Sequence, residues 1–201
     1  YSDAYIKNFL KAKNLKFKYY KHIEIKIAEL LSEGKIVARF AGKMEYGPRA
    51  LGNRSILCQA TDKKINNWLN KRLKRTEFMP FAPSVLKEEA NNCFKNLKGA
   101  EYSAEFMTIT FYCTDLMRKK APAVVHVDNT ARPQIVSEKN NPSFYKILKQ
   151  YRNISGIPAI INTSFNMHEE PIVCSPEDAL STFLKAGLDY LAIGSYLVRY
   201  P

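Results

Sequence analysis

GKMEYGPRALGNRS, residues 42–55, lies between two short apolar runs, IVARF (36–40) and SILCQA (55–60). It holds three cations (Lys43, Arg49, Arg54), one carboxylate (Glu45) and three glycines (Gly42, Gly47, Gly52). Buried strands flanking a glycine-rich basic loop present backbone N–H groups and guanidinium forks to an oxyanion. A surface loop that carries charge for solubility has the same composition. The spacing of Gly47 and Gly52 echoes a P-loop. However, Asn53 stands where such a loop needs lysine, and Pro48 removes one N–H donor. An anion site with arginine forks in place of that lysine passes the same test.

Toward the C-terminus, Thr61 or Asp62 caps a helix with Ile65, Trp68, Leu69 and Leu73 expected inward. Pro80 and Pro83 exclude helix from the next stretch, so FAPSVL (81–86) is expected as an edge or entry strand. FMTITFYC (106–113) and AVVHV (123–127) alternate like strands, and the second opens into DNTARPQIV (128–136). Pro142 begins a helix carrying Phe144, Ile147, Leu148 and Tyr151, and IPAIIN (157–162) is an apolar strand ending in TSFN. Ser175 and Pro176 start a helix closed by Gly187, and YLAIG and YLVRY finish the chain as strands.

Toward the N-terminus, Ser2 or Asp3 caps a helix with Ile6, Phe9 and Leu10 on one face. KFKYY (16–20) alternates as a short strand, and a helix with Ile23, Ile27, Leu30 and Leu31 inward stops at Gly34. Residues 1–34 are lysine-rich, carry no chemical motif and read as scaffold or interdomain linker. Helices and strands alternate without strict βαβ regularity, so one α/β domain with a mixed, twisted sheet is expected.

At 201 residues and 46% hydrophobic, the chain can bury one substantial core. Thirty-one Lys and Arg against 19 Asp and Glu give +12, which favours polyanions such as nucleic acid, nucleotide phosphates or anionic lipid. Solvated lysine-rich helices give the same number with no partner. Cys58, Cys93, Cys113 and Cys174 are far apart, so reduced thiols are expected rather than a disulfide framework or zinc ribbon. With no signal peptide and no run of about 18 apolar residues, a cytoplasmic location and no membrane partner are expected. The start at Tyr1, without methionine, suggests a piece of a longer polypeptide.

His168-Glu169-Glu170 looks like the start of a zincin helix, but Pro171 follows and no second histidine has the spacing, so no metal site is expected. His126 and Asp128 share one face of the expected strand, either toward a ligand or as a hydrogen-bonded pair. No Ser/His/Asp triad can be drawn. What remains is four polar clusters at strand ends: GKMEYGPRALGNRS, KRLKRTEF, DNTARPQ and NTSFN. Singly each is turn chemistry; together they supply the Arg, Lys, Asn, Thr and Ser that bind a phosphate-rich ligand at a sheet edge.

At these residues the chain resembles the C-terminal domain of NodU/CmcH-type carbamoyltransferases. The matching stretches are GKMEYGPRALGNRSIL, FMPFAPSVL, PAVVHVDNTARPQIV, IPAIINTSFNMHEEPIV and SPEDALSTFLKAGLDYLAIG, covering most of residues 34–198. TSFNMHEEP also resembles the Thr-Ser-x-Asn…Pro signature of YrdC-like proteins. The resemblance implies an α/β (α+β) fold, a YrdC-like twisted mixed β-sheet with flanking helices over 35–201. Residues 1–34 would then be a helical lead-in from a missing N-terminal domain.

The resemblance further implies that the domain binds ATP, with Mg²⁺, and carbamoyl phosphate, and forms a carbamoyl-adenylate. A separate N-terminal domain of actin-like ATPase fold, holding an iron-type metal through histidines and aspartate, would pass the carbamoyl group to a hydroxyl acceptor. On this basis Arg49, Lys74 and Arg132 are expected as catalytic residues. Lys43, Arg54, Arg75, Asn162, Ser164 and Asn166 are expected to bind the nucleotide. A basic RNA-binding module and an inactive scaffold are the alternatives. The aromatics fall mainly at core periodicities and not as stacking platforms, so nucleic acid is not the expected partner.

The chain departs from the family pattern in three places. Met79 stands where many members carry arginine in FRPFAP. LKRTEF breaks the usual Lys-x-Arg-Glu order, leaving Arg72 and Lys74 as rivals for the lysine's part. Asn129 replaces a more usual glycine in DNTARPQ, a position that Asn can fill in a left-handed turn.

Overall fold

The computed structural model describes residues 1–75 and 80–201. Ser2 opens α1 (Asp3–Ala12) by accepting from the Tyr5 N–H, and β1 (Phe17–Tyr19) and α2 (Ile23–Ser32) follow. Strands β2 (Val37–Phe40) and β3 (Arg54–Gln59) flank the basic loop, and α3 (Lys64–Arg72) and β4 (Ala82–Leu86) come next. Two one-turn helices, α4 (Ala90–Cys93) and α5 (Glu101–Ala104), precede β5 (Phe111–Tyr112) and α6 (Asp115–Lys120). Short strands β6 (Thr130–Ala131) and β7 (Gln134–Val136) lead to α7 (Pro142–Ser155), opened by the Asn141 side chain and closed by Gly156 at φ 70°. After β8 (Ala159–Ser164), α8 (Pro176–Ala186) starts in a reciprocal capping box between Ser175 and Asp178, and β9 (Tyr190–Ile193) and β10 (Tyr196–Arg199) end the chain.

Among the described residues eight strands form one sheet in the order β1-β10-β9-β2-β3-β8-β4-β7; β5 and β6 pair separately. The sheet is mixed, with β2–β9 and β4–β7 parallel and the other neighbours antiparallel. Side chains alternate faces along a strand, and here both faces are apolar. Ala38, Phe40, Ile56, Cys58, Ile161, Leu191 and Ile193 pack with residues of α1, α3 and α8 such as Leu10, Leu69 and Phe183. The intervening Val37, Leu57, Ile160 and Ala192 pack with Ile27 and Leu31 of α2 and with Phe144, Ile147 and Leu148 of α7. Helices therefore cover both faces. Residues 1–34 belong to these layers: Phe17 pairs with Val198, Ile6 and Leu10 are buried, and Ile27 lies in the second core.

Four local expectations differ from the structure. FAPSVL is an interior strand, because β7 pairs with it only from Ser84 onward and leaves Pro83, which has no N–H, clear of that ladder. Of FMTITFYC only Phe111–Tyr112 is strand; Met107 at φ 55° turns the chain, and the Thr108 hydroxyl donates to Ser103 O. AVVHV begins as a 3₁₀ turn at Pro122–Val124, and the turn through Asn129 at φ 63° delays the strand to Thr130. Trp68 lies at the surface, while Asn66 and Asn70 on the same helix are buried, Asn66 donating to Ala123 O. Cys58, Cys93 and Cys113 are buried free thiols and Cys174 is exposed. Among the described residues no helix is long and apolar enough to cross a membrane.

Candidate functional site

Strand register determines which polar clusters meet. Antiparallel pairing sets Ser55 opposite Ser164 and Ala82 opposite Asn162, so the C-terminal end of β8 lies between the N-terminal ends of β3 and β4. The loop before β3, the turn after α3 and the residue after β6 converge there. They bring Arg49, Arg75 and Arg132 to a cavity of about 520 Å³, with Ser164, Asn166 and His126 also in its wall.

The basic loop is wound around an internal carboxylate. Glu45 Oε1 accepts from the N–H groups of Leu51 (2.7 Å), Asn53 (2.6 Å) and Arg54 (3.3 Å). Gly52 is held at φ +115°, so close to Phe144 that a Cβ would stand 2.5 Å from its ring. Beneath the loop, buried Arg39 donates to Gly52 O, to Asn53 Oδ1 (3.2 Å) and to Ser143 Oγ (2.7 Å). Ser143 in turn donates to Glu24. Burial brings the Arg39 pKa down to about 10, against the pull of Glu24 and Glu45. A cation inside the apolar run IVARF was the sequence signal for this support, and its role is visible only once the loop is seen folded onto it. Gln134 ties the loop to the sheet: its Nε2 donates to Leu51 O at 2.8 Å, while its Oε1 accepts from Ser84 and Asn162.

Three guanidinium groups line the cavity. Arg75 donates to Thr163 Oγ1 at 2.9 Å and lies 5.0 Å over the Phe81 ring; burial lowers its pKa. The pKa of Arg132 is lowered by burial and then by neighbouring Arg49. None of the three makes an ion pair with a described residue, and Glu169 is the one carboxylate among the described residues of the wall. Like charges, with Arg75 and Arg132 half-buried, Arg49 exposed and none of them ion-paired to a described residue, make such a cavity favourable for an anion. Asn166 Nδ2 donates to Glu170 O at 2.7 Å. Asn162 is buried beneath, facing a side pocket of about 40 Å³ that Arg49, Arg132 and Ser164 share.

Arg49, Arg75, Arg132, Ser164 and Asn166 are thus brought together, with Asn162 under them. Lys43 and Lys74 are exposed and are not among the residues of the wall. Lys74 sits at φ 56°, a left-handed turn that gives the cavity position to Arg75 instead, while Arg72 stacks on Trp68 at 4.8 Å. Arg54 is turned inward, 3.6 Å over the Phe40 ring, and donates to the carbonyls of Ala41, Asn53 and Gly42. Its donors hold the loop together. Met79, where the resemblance leads to an expected arginine, lies outside the described residues.

His126 and Asp128 meet through Thr130 in a turn and not across a strand face. His126 Nδ1 is 3.1 Å from Thr130 Oγ1, and Asp128 Oδ1 accepts from the Thr130 hydroxyl at 2.7 Å and its N–H at 3.0 Å. Among the described residues no group of three or more His, Cys, Asp or Glu side chains is placed to hold a metal ion.

Residues 28–200 match the protein family described as Carbamoyltransferase C-terminus. An uncharacterised protein of Methanocaldococcus jannaschii is 44% identical over 173 residues, which are 86% of this chain and 28% of the relative. Nodulation protein NolNO of Sinorhizobium fredii is 42% identical over 189 residues, covering 89% of this chain and 27% of the relative. The chain therefore spans little more than a quarter of these two curated relatives. Full-length HypF, in its phosphate- and nucleotide-bound crystal form, superposes with a TM-score of 0.60 at 22% identity, over 92% of this chain and 22% of that one. The shared fold is YrdC-like.

Proposed function

The chain belongs to the carbamoyltransferase C-terminus family, and on that premise we propose that it activates a carbamoyl group, drawing on carbamoyl phosphate and ATP to form carbamoyl-adenylate. The observation that carries this reading is the set of three guanidinium groups, Arg49, Arg75 and Arg132, around one cavity and without ion-pair partners among the described residues. Its volume of about 520 Å³ falls within the roughly 300–1,000 Å³ usual for small-molecule sites. The phosphate- and nucleotide-bound state of HypF, a protein of the same fold, supports the same ligand class.

Two bond changes make the product. Water cleaves carbamoyl phosphate to carbamate and phosphate. A carbamate oxygen then attacks the α-phosphorus of ATP, and the bond to the β-phosphate bridge oxygen breaks as pyrophosphate leaves with the electron pair. Neither step needs a protein nucleophile, so the protein's work is alignment and neutralisation of charge on phosphate oxygens. Arg49 and Arg132 hold the phosphoryl group of carbamoyl phosphate and then the α-phosphate. Arg75, oriented by Thr163, holds the nucleotide phosphates, with Ser164 and Asn166 as polar partners. Mg²⁺ would be carried by the nucleotide phosphates and would neutralise part of their charge. The rest of a longer polypeptide, an actin-like ATPase-fold domain with an iron-type metal, delivers the carbamoyl group to a hydroxyl acceptor.

Arg49→Ala or Arg132→Ala is expected to abolish carbamoyl phosphate-dependent exchange of pyrophosphate into ATP while leaving the melting temperature unchanged. Arg49→Lys is expected to fail too, because a point charge does not replace a bidentate fork. Wild-type exchange in both alanine variants would sink the assignment. ATP binding without exchange would mark a scaffold, and salt-dependent RNA affinity with no thermal shift from ATP would mark a nucleic-acid module.

A further inference from the structure

His126 shares the cavity wall with Arg49 and Arg132, and the proposed carbamoyl activation gives it no role. Its surroundings determine where its proton sits. A carboxylate only accepts, so the Thr130 hydroxyl, 2.7 Å from Asp128 Oδ1, donates to it. With its one proton committed, Thr130 Oγ1 accepts from His126 Nδ1–H at 3.1 Å. The turn is held by the His126 N–H donating to Thr130 O at 2.7 Å. Burial lowers the imidazole pKa and Arg132 adds to this, with Asp128 opposing, so the ring is neutral. Nε2 is left as an acceptor that bonds to no described residue.

The surrounding arginines only donate. An acceptor nitrogen among them suits the donating part of an otherwise anionic ligand. In carbamoyl phosphate that part is the –NH₂ group, while the phosphate oxygens are matched by guanidinium. We propose that His126 is the specificity-determining residue for the carbamoyl group: its Nε2 accepts from the –NH₂ while Arg49 and Arg132 hold the phosphate. Thr130 and Asp128 are positioning residues that keep the imidazole in the Nδ1–H tautomer. This rests on the assignment of carbamoyl phosphate to the cavity.

Acetyl phosphate has the same shape with a methyl group in place of the amine, so it isolates the contact. Titration calorimetry of the 201-residue chain with each compound should show carbamoyl phosphate bound roughly tenfold or more tightly, the ratio that one net hydrogen bond supports. His126→Leu should erase that preference by weakening carbamoyl phosphate binding while acetyl phosphate binding holds. Thr130→Val, which keeps the ring but frees its tautomer, should reduce the preference, and Thr130→Ser should restore it. Thr130→Val carries the test if His126→Leu fails to fold. A preference that survives in both His126→Leu and Thr130→Val, or is absent from the wild type, overturns the role of His126 and leaves the phosphate site standing. A wild-type chain that binds neither compound overturns the functional reading itself, and this inference with it.

Discussion

Glu45→Ala removes the carboxylate around which the basic loop is wound. In the folded chain Glu45 Oε1 accepts from the N–H groups of Leu51, Asn53 and Arg54. Hydrogen bonds to a charged group contribute about 1.5–3 kcal/mol each. Three donors crowded on one oxygen do not add, and water can reach part of the loop, so the expected loss is about 2–4 kcal/mol. Buried Arg39 and partly buried Arg54 also lose the negative charge that opposes their desolvation. For a chain of this size each kcal/mol moves the melting temperature by about 2–4 °C, which gives a drop of roughly 5–15 °C. Glu45→Gln keeps an acceptor and loses only the charge, so it should fall between wild type and Glu45→Ala. Calorimetric melting gives the total effect, and amide hydrogen exchange at residues 51–54 locates it. A Glu45→Ala protein melting within about 1 °C of wild type, with those amides still protected, would refute the claim that this carboxylate organises the loop.

Gly52→Ala places a methyl group 2.5 Å from the buried Phe144 ring at φ +115°, costing about 3 kcal/mol or more from clash and backbone strain together. Thermal melting should show a large loss that Phe144→Leu partly relieves, and wild-type melting of Gly52→Ala would contradict the packing described. A second test concerns acid. Burial, aided by Arg132 and opposed by Asp128, holds the His126 pKa below 6.5. As pH falls the unfolded chain therefore takes up this proton first, so stability is full above 6.5 and is lost on falling from there through the lower folded pKa. Urea midpoints across that window should slope downward toward acid in the wild type and be flatter in His126→Gln; equal slopes would exclude the half-buried neutral imidazole.

Much of the architecture was legible because it is local. Ser2 and Ser175 cap their helices through contacts three residues away, Pro142 starts α7, Gly187 ends α8 in a left-handed turn, and the runs around residues 37–40, 54–59 and 159–164 pair as strands. Asn129 takes the left-handed turn expected of it. FMTITFYC and AVVHV alternate as strands do, but alternation makes a strand only where a neighbouring strand pairs along it, and among the described residues Phe111–Tyr112 is the one stretch of the two so paired.

Within the site, sequence alone determined the chemical inventory: a basic glycine-rich loop, arginines near strand ends, and a polar NTSFN run. Tertiary structure decided which members of that inventory face the cavity. Arg49 lies in the basic loop and Arg54 at its junction with β3, yet the winding around Glu45 sends Arg54 inward onto Phe40 and leaves Arg49 in the cavity wall. Lys74 and Arg75 are adjacent, and one left-handed residue separates their directions. His126 acquires its tautomer only when Thr130 and Asp128 turn back on it. Caps and apolar periods act within a few residues. The direction of a charged side chain depends on which distant backbone and carboxylate groups the sheet register brings beside it.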